Sequence, residues 1–238
     1  MAIGDRGSAE AGAGLALART LPAKSGRPTK AERESQPDRR QHILQTATRR
    51  FAEFGFQAST VRQIADDVDI KSGSLFHHFA TKEEILLEIV SPAVVRLRDK
   101  AIAVADSPFD AERRLVALIE VTLTEVTGDP LCHRILNQER QVFRADKAFA
   151  EVLSARQAIY KAWLKILEDG VAAGLFRPEP DLFLTVSTIV RMLYSAADWH
   201  RDSGTVPRDY DEGSLTQFYN GFILRAVRAE GLEGAHLE

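Results

Sequence analysis

Apolar residues first recur at helical spacing at Ile43, Leu44, Ala47, Phe51 and Phe54, and Gly55 follows them as a C-terminal stop. Thr60-Val61-Arg62-Gln63 has the form of a capping box, with the threonine hydroxyl taking an orphan amide and the glutamine reaching back. It opens a two-turn helix whose buried face is Val61, Ile64, Ala65 and Val68. Asp69-Ile70 interrupts that pattern, and a third short helix is expected to hold Ser74, Leu75, Phe76, His77, His78 and Phe79. Thr81-Lys82-Glu83-Glu84 reads as a second capping box before a helix carrying Ile85, Leu86, Ile89 and Val90. Pro92 is expected to kink that helix, because proline removes an amide and crowds the preceding turn.

Ser107-Pro108 marks a break, after which helices are expected near 110–127, 131–144, 147–173, 181–201 and 212–229. Gly128-Asp129-Pro130 separates the first two, and Gly174 followed by Leu175 ends the third with a left-handed glycine. No alternating strand pattern competes, and no repeat occurs at solenoid spacing. The pattern therefore predicts an all-α fold. A three-helix N-terminal domain spans 38–83 and a larger helical domain spans 84–232. Residues 1–37 hold no hydrophobic period, are rich in Ala, Gly, Ser and Arg, and read as a disordered basic arm.

Composition narrows the functions. With 238 residues, 45% of them hydrophobic, the chain can bury one large core or a small domain plus a larger one. The net charge of −3 means that any affinity for nucleic acid must come from a local basic surface. Arg19, Lys24, Arg27, Lys30 and Arg33, then Arg39 and Arg40, make the end of the arm basic. They form either a solvated tail or an arm that tracks phosphates, with Ser25-Gly26-Arg27-Pro28 suited to a minor groove. A single cysteine, Cys132, precludes an intramolecular disulfide and fits a reducing, cytoplasmic location. No apolar run is long enough to cross a bilayer, and the N-terminus lacks a secretory signal pattern. Glycine-rich phosphate loops, Gly-x-Ser-x-Gly elbows and His-Glu-x-x-His pairs are all missing, so no enzyme and no cofactor is expected. Cys132-His133 has no second ligand pair near it in sequence, so no metal site is expected.

The segment from Thr60 to Phe79 has the makings of a helix-turn-helix. Its third helix starts with small polar residues, Lys71, Ser72, Gly73 and Ser74, which allow close approach to base edges in a major groove. Leu75 and Phe79 at its far end can anchor it to the other two helices. The helix starts at Thr60 and Thr81 offer amides and hydroxyls suited to phosphate oxygens. Lys82 opposes a helix dipole unless a phosphate lies close by.

These residues carry a family resemblance. Ile43-Leu44, Ala47, Phe51, Gly55-Phe56, Thr60-Val61, Ile64-Ala65, the run Gly73-Ser74-Leu75-Phe76-His77-His78-Phe79, and Lys82-Glu83 resemble the DNA-binding domain of the TetR/AcrR family of bacterial regulators. The resemblance implies an all-helical homodimer, a palindromic double-stranded DNA operator, and a C-terminal domain that binds a small-molecule inducer. By position in the motif it assigns Thr60, Lys71, Ser72, Ser74, His77 and Lys82 to DNA contact. Phe76 departs from the family's usual tyrosine and lacks the hydroxyl that meets a phosphate. The loss is about 1 kcal/mol at most, and His77 can compensate.

The helix near 181–201 carries two apolar stripes. Phe183, Val186, Val190, Leu193 and Ala197 form one, and Leu182, Ile189, Met192, Ala196 and Trp199 form the other. With Leu215, Phe218, Tyr219, Phe222, Ile223 and Ala226 near 212–229, these point to an isologous four-helix interface between two copies, or to two central helices of one thick core. Between the stripes run Ser187, Thr188, Arg191, Ser195 and Asp198. Arg191 either pairs with Asp198 or across subunits, or it receives an anionic ligand group. Phe143, Tyr160, Trp163, Tyr194 and Trp199 are either core or the wall of a ligand cavity, with Asn137 and Arg140 as polar hooks.

Trp199-His200-Arg201-Asp202-Ser203-Gly204 and Gly174-Leu175-Phe176-Arg177-Pro178 resemble segments of family members that control fatty-acid and sterol catabolism. His200 and Asp202 replace the usual tyrosine and proline. That likeness implies acyl-CoA thioesters as inducers, whose phosphates suit Arg140, Arg144 and Arg191. Lipophilic drugs are the alternative inducers, in a regulator of efflux.

Overall fold

The computed structural model describes residues 39–179, 181–196 and 211–229. The arm at 1–37 lies outside the described residues, as do Ala197, Asp198, Trp199, His200 and the end of the helix expected to reach 201. Among the described residues the chain is helical, and the β contact is an isolated antiparallel bridge between Phe176 and Arg228.

Helices α1 (Arg39–Phe54), α2 (Val61–Asp67) and α3 (Ser72–Leu75) build the N-terminal layer. Ile43, Ala47 and Phe51 of α1 meet Ile64, Ala65, Leu75 and Phe79, all of them at most 1% exposed. Gly55 stops α1 at φ +84°, a conformation glycine adopts without Cβ strain. The Thr60 box forms as expected, with the Gln63 amide donating to Thr60 Oγ1 at 3.2 Å and the Thr60 amide to Gln63 Oε1 at 2.9 Å. Helix α2 ends in a Schellman closure. The Ile70 amide reaches the Ala65 carbonyl at 2.9 Å, and Asp69 takes the left-handed position at φ 54°.

Helix α3 is shorter than expected. Its helical span stops at Leu75, and Phe76–His78 form a turn closed by His77 N to Ser74 O at 3.3 Å and His78 N to Leu75 O at 2.9 Å. Leu75 and Phe79 are both buried, so the turn swings the chain back to the core after one apolar anchor.

Helix α4 (Lys82–Ala105) continues through Pro92 without interruption. The carboxylate of Glu84 caps the Ala80 amide, one residue before the position a capping box requires. Helix α4 packs chiefly on α8 (Ala150–Ala172) and also on α5 (Ala111–Gly128), which in turn contacts α10 (Glu212–Val227). The helix expected over 131–144 is broken at Glu139 into α6 (Pro130–Gln138) and α7 (Arg140–Ala145). A 3₁₀ turn at Lys147–Phe149 leads into α8, and α9 (Leu182–Tyr194) packs against α5, α6 and α8.

Gly174 closes α8 at φ +72°, with Leu175 N on Gly170 O at 2.9 Å. Phe176 then packs against Gly170, where a Cβ would sit 2.0 Å from the ring.

Candidate functional site

Two surfaces and one cavity carry the chemistry. On the N-terminal face, Thr60, Lys71, Ser74 and His77 are exposed and Ser72 is half-buried, while Leu75 and Phe79 hold the segment from beneath. Phe76 is 51% exposed, an apolar ring on the same face. The Thr60 hydroxyl is engaged within the protein, since it also donates to Gln63 Oε1 at 3.0 Å.

Lys82 departs furthest from expectation. Its ammonium donates to the Phe56 carbonyl at 2.8 Å and the Ser59 carbonyl at 2.9 Å, and lies 4.1 Å from the centroid of the Phe56 ring. Burial lowers its pKa, against the attraction of Glu83 and Glu139. Two of its three N–H donors are therefore committed to bracing the α1–α2 turn. Sequence reasoning grouped Arg40 with the basic run at the end of the arm, yet it is a second brace. It donates to the His78 carbonyl, pairs with Glu88 and lies 4.1 Å from the Phe79 ring centroid, tying α1 and α4 to the turn after α3.

The cavity lies between α7, α8 and α9 and has a volume of about 520 Å³. Arg140, Phe143, Tyr160 and Arg191 line it, so four of the eight residues expected there come together. Tyr194 sits in a small recess behind Arg140 and Tyr160. Burial raises its phenol pKa to about 12. Asn137 stands outside the wall but holds it, because its Oδ1 accepts from the Arg140 guanidinium at 2.5 Å. Trp163 lines neither space; it is fully buried, with its indole N–H unpartnered. Trp199 lies outside the described residues.

Of the α8 wall, sequence reasoning found Tyr160 and missed the rest. Leu153, Arg156, Gln157, Tyr160, Lys161 and Leu164 share one face at intervals of three and four, a mixed stripe that hydrophobic periodicity alone passes over.

Arg140, Arg144, Arg156, Lys161 and Arg191 bring five cations to the lining, and no carboxylate lines it among the described residues. Arg156 donates to the Leu136 carbonyl at 2.7 Å. The Arg140 pKa is lowered by burial first and then by repulsion from Arg156 and Arg191, and its Nε is buried without a partner. Such a cluster favours an incoming anion, which relieves the repulsion and occupies idle donors. Phe143, Leu153, Tyr160, Leu164, Phe183 and Val186 give the same space apolar walls.

On the far side of α9, Leu184 is 61% exposed, and Phe218 and Phe222 of α10 are 57% and 47% exposed. Phe218 and Phe222 stack at 6.0 Å, and a groove between the two helices runs past Leu184, Thr188, Met192 and Phe222. Three large apolar side chains on these two helices form a patch of the kind that marks association.

The chain is similar to known bacterial regulators. A model described as bacterial regulatory proteins, tetR family, matches residues 43–89, and one described as tetracyclin repressor-like, C-terminal domain, matches residues 108–227. The HTH-type transcriptional repressor KstR2 of Rhodococcus jostii is 30% identical over 198 residues, covering 83% of this chain and 93% of that protein. The KstR2 repressor of Mycobacterium tuberculosis is 29% identical over 194 residues, covering 82% and 95%. In three dimensions the chain is similar to the ketosteroid transcriptional regulator KstR2 of Mycobacterium tuberculosis. The TM-score is 0.71 at 30% identity, over 82% of this chain and 98% of that one.

Proposed function

The chain belongs to the tetR family of bacterial regulatory proteins, and from that premise we propose that it is a dimeric, cytoplasmic repressor released from a palindromic operator by an acyl-CoA thioester. The observation that carries the ligand class is the cavity: five cations, no lining carboxylate among the described residues, and an aromatic and aliphatic wall in about 520 Å³. An acyl chain lies against Phe143, Leu153, Tyr160 and Leu164, and the phosphates meet Arg191, Arg144 and Lys161 toward solvent, where arginine forks match phosphate oxygens. A neutral or cationic lipophilic drug leaves those cations unanswered, which disfavours the efflux alternative.

In the operator complex, Lys71, Ser72, Ser74 and His77 face the DNA, with Thr60 at the phosphate backbone. Lys82 acts there with at most one free N–H, because the other two hold the Phe56 and Ser59 carbonyls. Residues 38–83 form the DNA-binding domain and 84–232 the ligand-binding and dimerisation domain. The exposed Leu184, Phe218 and Phe222 support pairing through α9 and α10, with the two recognition segments on successive major grooves.

The ligand is tested by titrating straight-chain and sterol-derived acyl-CoA esters against a complex of the protein with a duplex recovered by binding-site selection. Release by at least one ester class, and none by free fatty acid, is expected. Retention of the duplex across both ester classes would end the thioester assignment.

A further inference from the structure

The Phe56 amide belongs to the turn that follows the glycine stop of α1, where helix geometry supplies it no acceptor. It donates instead to Glu139 Oε1 at 2.8 Å, across 83 positions of sequence. The carboxylate comes so close that a Cβ on Gly55 would lie 3.4 Å from it. The same turn is held from its other side by Lys82, on the Phe56 and Ser59 carbonyls, and Glu139 attracts that ammonium. Three segments thus meet at one point: the α1–α2 turn, the start of α4 and the junction between α6 and α7. Thr60, which opens α2, is the residue after Ser59.

At its other end Glu139 belongs to the cavity's support. It is the break between α6 and α7, with φ −91° and ψ 30°, and it is flanked by Asn137 and Arg140. Those two side chains bond each other across it, and Arg140 lines the cavity beside Arg156 and Arg191. An anion entering the cavity competes with Asn137 for the Arg140 guanidinium. A rotation of the junction that follows Arg140 draws the Glu139 carboxylate from the Phe56 amide. A buried amide that loses its acceptor is costly, so the turn must shift to recover one, and α2 starts from that turn.

We infer that Glu139 is the positioning residue coupling the ligand cavity to the DNA-binding helices, through its hydrogen bond to the Phe56 amide. The ligand arm of the test rests on the cavity reading above, whereas the arm without ligand does not.

Operator Kd is measured by fluorescence anisotropy on a duplex from binding-site selection, with and without decanoyl-CoA, for the full chain and for Glu139→Ala and Glu139→Gln. Ligand is expected to weaken operator binding about 5-fold or more in the unaltered protein, the lower end of ordinary coupling. The ratio should fall below about 2-fold in Glu139→Ala, because no acceptor remains for the amide. Glu139→Gln, which keeps an acceptor oxygen, should retain most of it.

Without ligand, Arg140→Ala is made in both backgrounds as a double-mutant cycle on operator Kd. A change of about 3-fold or more beside Glu139, lost in the Glu139→Ala background, is expected. Additive effects in the cycle would overturn the inference whether or not decanoyl-CoA acts. An undiminished ligand ratio in Glu139→Ala would do the same. Should decanoyl-CoA release none of the three proteins, that ester is not the inducer, and the cycle still decides the coupling. If Glu139→Ala does not fold, Glu139→Asp, which withdraws the oxygens by one methylene, takes its place in the cycle and the titration.

Discussion

His133 sets a measurable limit on acid stability. Its ring is 1% exposed, both nitrogens lack a hydrogen-bond partner, and it meets Tyr194 edge-on with centroids 5.6 Å apart. Burial lowers its pKa from 6.5 to about 4, although Asp129 and Glu125 pull the other way. The folded protein therefore keeps the imidazole neutral while the unfolded chain takes up a proton below pH 6.5. Stability is fully present above that pH and is lost as pH falls from 6.5 toward about 4. At 1.36 kcal/mol per pKa unit, His133 should remove about 2 kcal/mol per protomer between pH 7.5 and pH 5, and about 3 kcal/mol at most. The assay is urea unfolding of the unaltered protein and His133→Leu at pH 7.5, 6.5, 5.5 and 5.0, at one fixed protomer concentration. The variant loses a ring contact but also two unpartnered buried nitrogens, so the change of the difference with pH is the diagnostic quantity. The stability of the unaltered protein relative to the variant should fall by about 2 kcal/mol as pH falls to 5. A gap constant across the series would mean that the imidazole titrates equally in both states, and the burial reasoning would fail.

Gly170→Ala drives a Cβ to within 2.0 Å of the Phe176 ring and should destabilise by about 1–3 kcal/mol in the same unfolding assay. Lys82→Ala strands the Phe56 and Ser59 carbonyls and should lower stability by about 1–3 kcal/mol while weakening operator binding. Unchanged stability with weaker binding would restore a purely phosphate role. Phe218→Asp places a charge beside the exposed Phe222 ring of α10 and should shift sedimentation from dimer to monomer at micromolar concentration. A sedimentation profile equal to that of the unaltered protein would move the interface elsewhere.

Much of the fold was legible because its punctuation is local. The Thr60 box and the glycines at 55 and 174 act on neighbours within a few residues, and they form where the sequence placed them. The length of α3 was not legible. Leu75 and Phe79 continue the apolar spacing of a helix, but the His77 and His78 amides close on residues three back, and the Phe79 amide returns to the residue four back, at Leu75. The braces were invisible for a different reason. Arg40 reaches His78 and Glu88, and Glu139 reaches Phe56, across 38, 48 and 83 positions, and no periodicity encodes such pairs. In the cavity, Arg140, Phe143, Tyr160 and Arg191 were recognised as aromatic or charged residues at helical spacing. Trp163 has the same chemistry but turns into the α8 core, whereas Arg156 and Lys161 face the cavity from a stripe too mixed to stand out.

A binding-site selection combined with sedimentation of the resulting complex bears most directly on operator recognition by a paired chain. Two inverted half-sites about 34 Å apart, or a multiple of that, occupied by two protomers per duplex, are expected. A preference without inverted symmetry, or one protomer bound per site, would contradict it.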